Sequence, residues 1–278
     1  MKFISIIDDN NKLKNKTISN INKISKMLNF SIDFFDLSNI DNLDIKKLKN
    51  YNYDIMLAIG GDGTIIRAAK LASILKLNIA GINIGHIGFL SSIQDLKDFN
   101  SFFVEIKNKN YKIINRNFLE IKSFVDNKLI DKCLVLNDII LKNLNPGSMS
   151  KYQIFDNKTK QLINNYHSDG LIFSTPTGST AYSFSANGPI ITPYVKCILI
   201  TPICPHAFNT RSIVVDDDSD ILVIIESQEQ FVCFDGRNNI KLNKNDSINI
   251  KKSKKSVEFI VMNNYNFFDN LDKRINNI

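Results

Sequence analysis

The hydrophobic period of this 278-residue chain changes once, near residue 110, and that change limits the fold more than any other feature. Before it, strand and helix spacings alternate. Lys2–Ile7 reads as a β-branched, apolar strand, and residues 17–28 set Ile18, Ile21, Ile24 and Leu28 on one face of an amphipathic helix. Ile32–Leu37 reads as a second strand. Residues 53–59 (YDIMLAI) form the continuous apolar run that a parallel strand buried on both faces requires. Residues 64–75 (TIIRAAKLASIL) are helical by period and by Ala and Leu content, and Ile79–Ile84 is another buried strand. This succession predicts an α/β domain with a parallel sheet.

Beyond the change, helical periods become scarce. Phe118–Val125, Lys128–Leu136, Ile139–Lys142, Tyr152–Phe155, Leu171–Ser174, Cys197–Thr201, Ser212–Val215, Ile221–Glu226, Phe231–Phe234, Ile248–Ile250 and Val257–Val261 are short strand candidates separated by turn residues. Many short strands at such spacing predict an all-β, sandwich-like domain. The expected organisation is an α/β domain over residues 1–115, a β domain over 116–262 and a tail over 263–278. Tyr265, Phe267, Phe268, Leu271 and Ile275 give that tail enough apolar surface to dock.

Composition excludes several classes. With 44% hydrophobic and 23% charged residues, the chain is not disordered throughout. Its net charge of +7 comes mostly from lysines dispersed among Asn and Ile, with no Arg-rich stripe interleaved with aromatics. Nucleic acid is therefore not the expected partner. Cys133, Cys197, Cys204 and Cys233 make no C-x-x-C and no zinc spacing, and read as reduced thiols in apolar strands. The apolar start is stopped by Asp8-Asp9, unlike a signal peptide, and no apolar stretch approaches the ~20 residues of a membrane span. A cytoplasmic protein without membrane association is expected.

Three segments carry chemistry. Gly60-Gly61-Asp62-Gly63-Thr64 lies between a buried strand and a helix, where glycines let the backbone approach a ligand and the helix start attracts anions. Asp62 is the odd member: a carboxylate repels phosphate unless it binds a metal or accepts a proton. The competing reading is a plain turn with Asp62 as helix N-cap. Arg67, one helical turn further on, points either at phosphate or at solvent. The second segment, Asp169–Ser183, is a strand leading into a loop dense in hydroxyls and glycine, which suits a nucleotide; Tyr182 could stack on a base. The third is Asn137-Asp138, an amide beside a carboxylate, a pair able to hold the hydroxyls of a ribose. The Rossmann pattern fails at Ile66, and no G-x-x-x-x-G-K-[ST] occurs.

Taken together these segments resemble the ATP-NAD kinase family. Gly60–Thr64, Leu136-Asn137-Asp138 and Asp169–Tyr182, continuing to Ser185, Gly188 and Pro189, match its signature segments in order and spacing, as do Asn83–Leu90 and Pro202–His206. The similarity runs from the first strand to about residue 250. G-G-D-G-T is shared with lipid kinases and phosphofructokinases, whereas D-G-L-x-x-S-T-P-T-G-S-T-A-Y is highly specific. The resemblance implies an enzyme that transfers the terminal phosphoryl group of ATP to the 2′-hydroxyl of the adenosine ribose of NAD, making NADP. It implies an α/β domain followed by a β domain, and a homo-oligomer, a tetramer in preference to a dimer.

By the same resemblance, Asp62 is the proton acceptor, beside amides around Gly63 that hold phosphate. Asn137 and Asp138 contact NAD near its ribose, with Asp138 standing where many members have Glu. Asp169 and Ala181 lie near the nicotinamide end, and Thr177, Thr180, Tyr182, Ser183 and Ser185 surround the dinucleotide. His167 stands where many members carry Arg, Arg237 where Gln is common, and Ser148 where some have His or Arg. Mg²⁺ or Mn²⁺ is expected to arrive with ATP, with no protein metal cage. His86 reads as a structural or interface residue and His206 as a buried, hydrogen-bonded one. The rivals are a lipid or sugar kinase sharing only the glycine loop, and a dinucleotide sensor that transfers nothing.

Overall fold

The apolar runs of the first third become parallel strands. The computed structural model describes the chain apart from residues 84–87, 94–97, 146, 228, 277 and 278. Two compact units emerge, one of Met1–Arg116 with Ser256–Ile278, the other of Asn117–Lys255.

In the first unit the order is β1 (Lys2–Ile7), α1 (Lys14–Leu28), β2 (Ser31–Asp36), α2 (Ile45–Asn50), β3 (Ile55–Ile59), α3 (Asp62–Leu75), β4 (Asn78–Ile82) and α4 (Phe99–Lys107). β1 lies between β2 and β3, and β4 joins β3, all in parallel. Every residue of β3 is buried, as its unbroken apolar run requires. Phe3, Ile7, Ile55, Leu57 and Ile59 share a core with Ile21 and Ile24 of α1 and with Phe99, Phe102, Phe103 and Ile106 of α4. Phe30 and Phe103 stack at 4.7 Å, with Phe3 edge-on to both. Aromatic pairs of this kind add about 0.5–1.5 kcal/mol each beyond their burial. α3 packs on β3 and β4 through a face of Ile65, Ala68, Ala69 and Ala72.

The second unit is antiparallel. It contains β6 (Lys128–Val135), β7 (Asp138–Asn143), β8 (Ser150–Asp156), β9 (Leu162–Ser174), α5 (Tyr182–Ser185), β10 (Cys197–Pro205), β11 (Ile213–Asp216), β12 (Asp220–Ile225), β13 (Gln230–Phe234) and β14 (Arg237–Leu242). The long strands β5 (Tyr111–Val125) and β15 (Ser247–Met262) carry the chain into and out of it. Its strands run in the order β14-β13-β7-β9-β8-β12-β15. β9 changes partners midway: residues 162–168 pair with β8, residues 170–174 with β7, and β10 also pairs with it from Ser168 to Ser174. Twenty buried side chains, Tyr152, Tyr166 and Phe173 among them, make one core.

β15 runs unbroken through residues 251–256, where polar residues separate the two expected strands. After it the chain returns to the first unit: Phe259 pairs parallel with Ile79, and α6 (Phe267–Asn276) ends the chain's regular structure. His206 is exposed rather than buried. The chain leaves the sheet at Pro205, so the ring lies outside the core and stacks on His167 at 5.3 Å. The loop containing His86 lies outside the described residues.

Candidate active site

Two clusters hold the candidate residues, one in each unit. In the first unit, Gly60 closes β3 with φ of +155°, and a Cβ there would stand 2.5 Å from Thr64 Oγ1. The turn therefore needs glycine at this position. At Gly61 and Gly63 a Cβ would meet nothing within 4 Å. Packing of the chain does not ask for glycine at either; open ground at a helix start does suit a ligand.

Asp62 does not cap its helix. Gly61 is the N-cap, and Thr64 and Ile65 donate their N–H groups to its carbonyl. The carboxylate instead turns to the segment after β4, where Phe89 N donates to Oδ2 at 3.2 Å and Leu90 N to Oδ1 at 3.4 Å. Arg274 Nη1 lies 3.3 Å from Oδ2. A Cβ on Gly88 would come within 2.3 Å of Asp62 Oδ1, so only glycine lets the segment close on the carboxylate. Arg67 has its guanidinium on Asp41 at 2.9 Å.

In the second unit three strand ends converge. Asp138 opens β7 opposite Ser174, which ends β9, while Ile139 lies opposite Phe234, which ends β13. This register brings Asn137-Asp138 against the hydroxyl-rich loop that follows β9. Thr175 N donates to Asn137 O at 2.9 Å, and Gly178 N to Thr175 Oγ1 at 3.2 Å. Gly178 approaches so closely that a Cβ would stand 2.2 Å from Asn137 O. The Tyr182 backbone N–H reaches the Asp138 carboxyl. Asn137 Oδ1 is buried and meets no donor among the described residues, an acceptor left for something the chain does not supply.

Asp235 is a site residue that the sequence reading missed. Asp235-Gly236 forms a two-residue turn between β13 and β14 with positive φ at both positions, the geometry that Asp-Gly favours. Its carboxylate accepts the N–H groups of Leu136, Asn137 and Asp138 at 3.0, 2.8 and 3.3 Å. The turn's Asp-Gly was legible; its reach back to residue 136 was not. Burial, then repulsion by Asp235, pushes the Asp138 carboxyl up to about 7, with the Tyr182 N–H opposing.

The other expected residues take separate places. Asp169 and His167 lie on the middle of β9, where Lys151 pairs with His167. Asp169 stands near the buried Tyr152 phenol, which donates to Gln230 Oε1 at 2.6 Å and whose pKa is raised chiefly by burial. Ser183 turns its hydroxyl inward, 2.9 Å from Thr201 Oγ1. Thr180 is buried with its hydroxyl on the Thr177 carbonyl. Ala181 is half-buried, while Tyr182 and Ser185 are exposed. Arg237 is exposed at the start of β14. Ser148 is exposed in a turn, where it accepts from Asn143 Nδ2. Among the described residues no three His, Cys, Asp or Glu side chains gather around a metal position, and no helix is long and apolar enough to cross a membrane.

An α/β unit with a carboxylate at a glycine-lined helix start, and a β unit with a buried amide–carboxylate pair under a hydroxyl-rich loop, is the build of a nucleotide phosphotransferase. The sequence matches the ATP-NAD kinase N-terminal domain over residues 9–111 and the ATP-NAD kinase C-terminal domain over residues 136–262. It is 38% identical to the NAD kinase of Clostridium beijerinckii over 250 residues, 87% of this chain and 86% of that one. It is 34% identical to the NAD kinase of Clostridium botulinum strain Alaska E43 over 282 residues, 100% and 96% of the two chains. The solved Archaeoglobus fulgidus NAD kinase, in complex with ATP, superposes with a TM-score of 0.75 at 26% identity, covering 100% of both chains. Yeast NADH kinase complexed with NADH shares the fold, with a TM-score of 0.82 at 22% identity over 99% of this chain and 88% of that one. The chain belongs to the ATP-NAD kinase family.

Proposed function

We infer that the chain performs its family's reaction: it transfers the terminal phosphoryl group of ATP to the 2′-hydroxyl of the adenosine ribose of NAD, giving NADP and ADP. The observation that carries this reading is Asp62, a carboxylate beside a glycine loop that caps nothing in its own helix and is held by the Phe89 and Leu90 amides. A nucleotide-binding loop has use for such a group when a hydroxyl must lose its proton. The 2′-oxygen forms the new bond to phosphorus, the bond from phosphorus to the ADP oxygen breaks, and the hydroxyl proton passes to Asp62. Phosphoryl transfer asks mostly for positioning and charge neutralisation, so Asp62 acts by orienting the hydroxyl and taking its proton late.

The dinucleotide is given to the second cluster. The unpartnered Asn137 Oδ1 and the Asp138 carboxyl suit ribose and base donors. Asp169 stands five residues before the Ser174–Asp138 pair, about 16 Å along the strand, a span fitting a ligand of two nucleosides. Thr177, Thr180, Ala181, Tyr182, Ser183 and Ser185 would contact it from the loop and short helix after β9, with His167, Ser148 and Arg237 as further contacts. A divalent ion, Mg²⁺ or Mn²⁺, would arrive with ATP and offset the charge of its phosphates, since no cluster of three His, Cys, Asp or Glu side chains among the described residues offers it a cage.

The active species is a homo-oligomer, a tetramer in preference to a dimer. Phe208 is 99% and Tyr194 67% exposed on the second unit, with Val195 and Val214 also open, and apolar side chains of this size favour burial against another copy. The four free cysteines suit the reducing cytoplasm. The test is one incubation with ATP, Mg²⁺ and NAD followed by assay for NADP, with parallel arms offering diacylglycerol and hexoses. NADP formation alone supports the reading; phosphorylation of lipid or sugar, or binding without turnover, replaces it.

A further inference from the structure

The reaction makes no use of α6, yet two of its side chains reach this region, Arg274 to the Asp62 carboxylate and Phe267 to the Phe89 ring. Arg274 Nη1 sits 3.3 Å from Asp62 Oδ2. The same guanidinium lies 4.8 Å from the centre of the Phe89 ring. That ring meets Phe267, at the start of α6, at 6.4 Å. Phe89 therefore holds both members of the pair, with its amide on the carboxylate and its ring against the cation.

Three long hydrogen bonds share the Asp62 carboxylate, from Phe89 N at 3.2 Å, Leu90 N at 3.4 Å and Arg274 Nη1 at 3.3 Å, so no one of them fixes it alone, and Arg274 is the charged one. Arg274 adds a charged donor to Oδ2. It also supplies positive charge where a carboxylate would otherwise face incoming phosphates. Arg67, on the same helix as Asp62, is already engaged with the exposed Asp41.

We propose that Arg274 is a positioning residue for phosphoryl transfer, carried to Asp62 by the C-terminal helix, where it fixes the carboxylate and offsets its charge. The proposal rests on Asp62 being the proton acceptor. Misplacing a reacting group by about an ångström costs up to ~10²-fold in rate, so R274A should lower kcat by about 10- to 100-fold. KM for NAD should stay within about twofold of wild type. R274Q, which keeps length over Phe89 but not charge, should show the same loss with the wild-type melting temperature. R274K, a point charge without the planar fork, should recover part of the rate, and added guanidinium should partly rescue R274A.

A double-mutant cycle with D62N decides the matter. If Arg274 acts through Asp62, R274A costs nothing further once Asp62 is Asn. The proposal is overturned if D62N is strongly impaired while R274A and R274Q turn over at or above the wild-type rate, or if the two losses multiply. A D62N enzyme with wild-type kcat overturns the underlying assignment of Asp62 instead, and the two failures are told apart by the single variants.

Discussion

The main-chain N–H groups of Asp138 and Asp235 each donate to the other residue while the two carboxyl groups repel. Asp235 N donates to Asp138 O at 3.0 Å, and Asp138 N donates to Asp235 Oδ1 at 3.3 Å. Asp138 is only 3% exposed, and burial followed by the Asp235 charge raises its pKa from 3.8 to about 7. A carboxyl whose folded pKa lies above its unfolded value contributes stability that is complete below about pH 4 and is lost as pH rises through about 7. The slope from this one group is about 1.4 kcal/mol per pH unit at most. Asp138→Asn should remove it, so the variant should gain on the wild type between about pH 4 and 7 in denaturant unfolding and hold that gain above pH 7. Parallel pH curves for the two proteins would show that Asp138 does not titrate in this window.

Asp62→Asn keeps the shape of the side chain and removes its ability to take a proton. General-base assistance is worth ~10²–10⁴-fold, so kcat should fall within that range while NAD binding changes little. Steady-state kinetics with an NAD titration measure both. A variant with near-wild-type kcat would remove Asp62 from the mechanism.

Gly63 and Gly178 are glycines for opposite reasons, and alanine should separate them. At Gly178 a Cβ meets the Asn137 backbone at 2.2 Å, and backbone cannot step aside as a flexible side chain can. Gly178→Ala should cost about 1–3 kcal/mol and weaken NAD binding, because the loop is pushed off Asn137. At Gly63 a Cβ meets nothing, and alanine is the better helix former by up to about 1 kcal/mol. Gly63→Ala should therefore match or exceed the wild type in melting temperature while raising KM for ATP. Loss of stability with unchanged KM would mean that Gly63 serves the fold and not the nucleotide.

What was legible in the sequence was local. β1, β3 and β4 announce themselves because burial on both faces demands a largely apolar run, unbroken in β3 and interrupted in β1 only by the buried Ser5. Phe99, Phe102, Phe103 and Ile106 carry helical spacing and become the buried face of α4, an element absent from the sequence expectation. β9 begins nine residues before its expected start, because Asn164, Asn165 and His167 gain their place from ladder hydrogen bonds to β8 rather than from apolar side chains. The polar RNNIKL of β14 went unread for the same reason. Asn137, Asp138 and the Thr177–Tyr182 loop were identifiable as motifs, but not the strand register that joins them. Asp235 and Arg274 lay beyond reach: they meet their partners across 97 and 212 residues of chain, through tertiary pairing that no local spacing encodes.

If Asn137 and Asp138 hold the adenosine ribose as proposed, they also constrain which hydroxyl is phosphorylated. The Asp138 carboxyl and the unpartnered Asn137 Oδ1 offer two acceptors at one strand end, enough to fix a ribose by its hydroxyls. A ribose so fixed presents its neighbouring hydroxyls in different directions. In-line attack at a reacting distance of ~3–3.5 Å can serve one of them and not both. Phosphorus NMR of the product should therefore show a single 2′-phosphate, and the 2′-deoxyadenosine analogue of NAD should not turn over. Asn137→Ala should lower kcat as well as weaken binding, because a loosened ribose spends less time in the reactive geometry. A 3′-phosphate product, or phosphorylation of the deoxy analogue, would mean that Asn137 and Asp138 hold some other part of the dinucleotide.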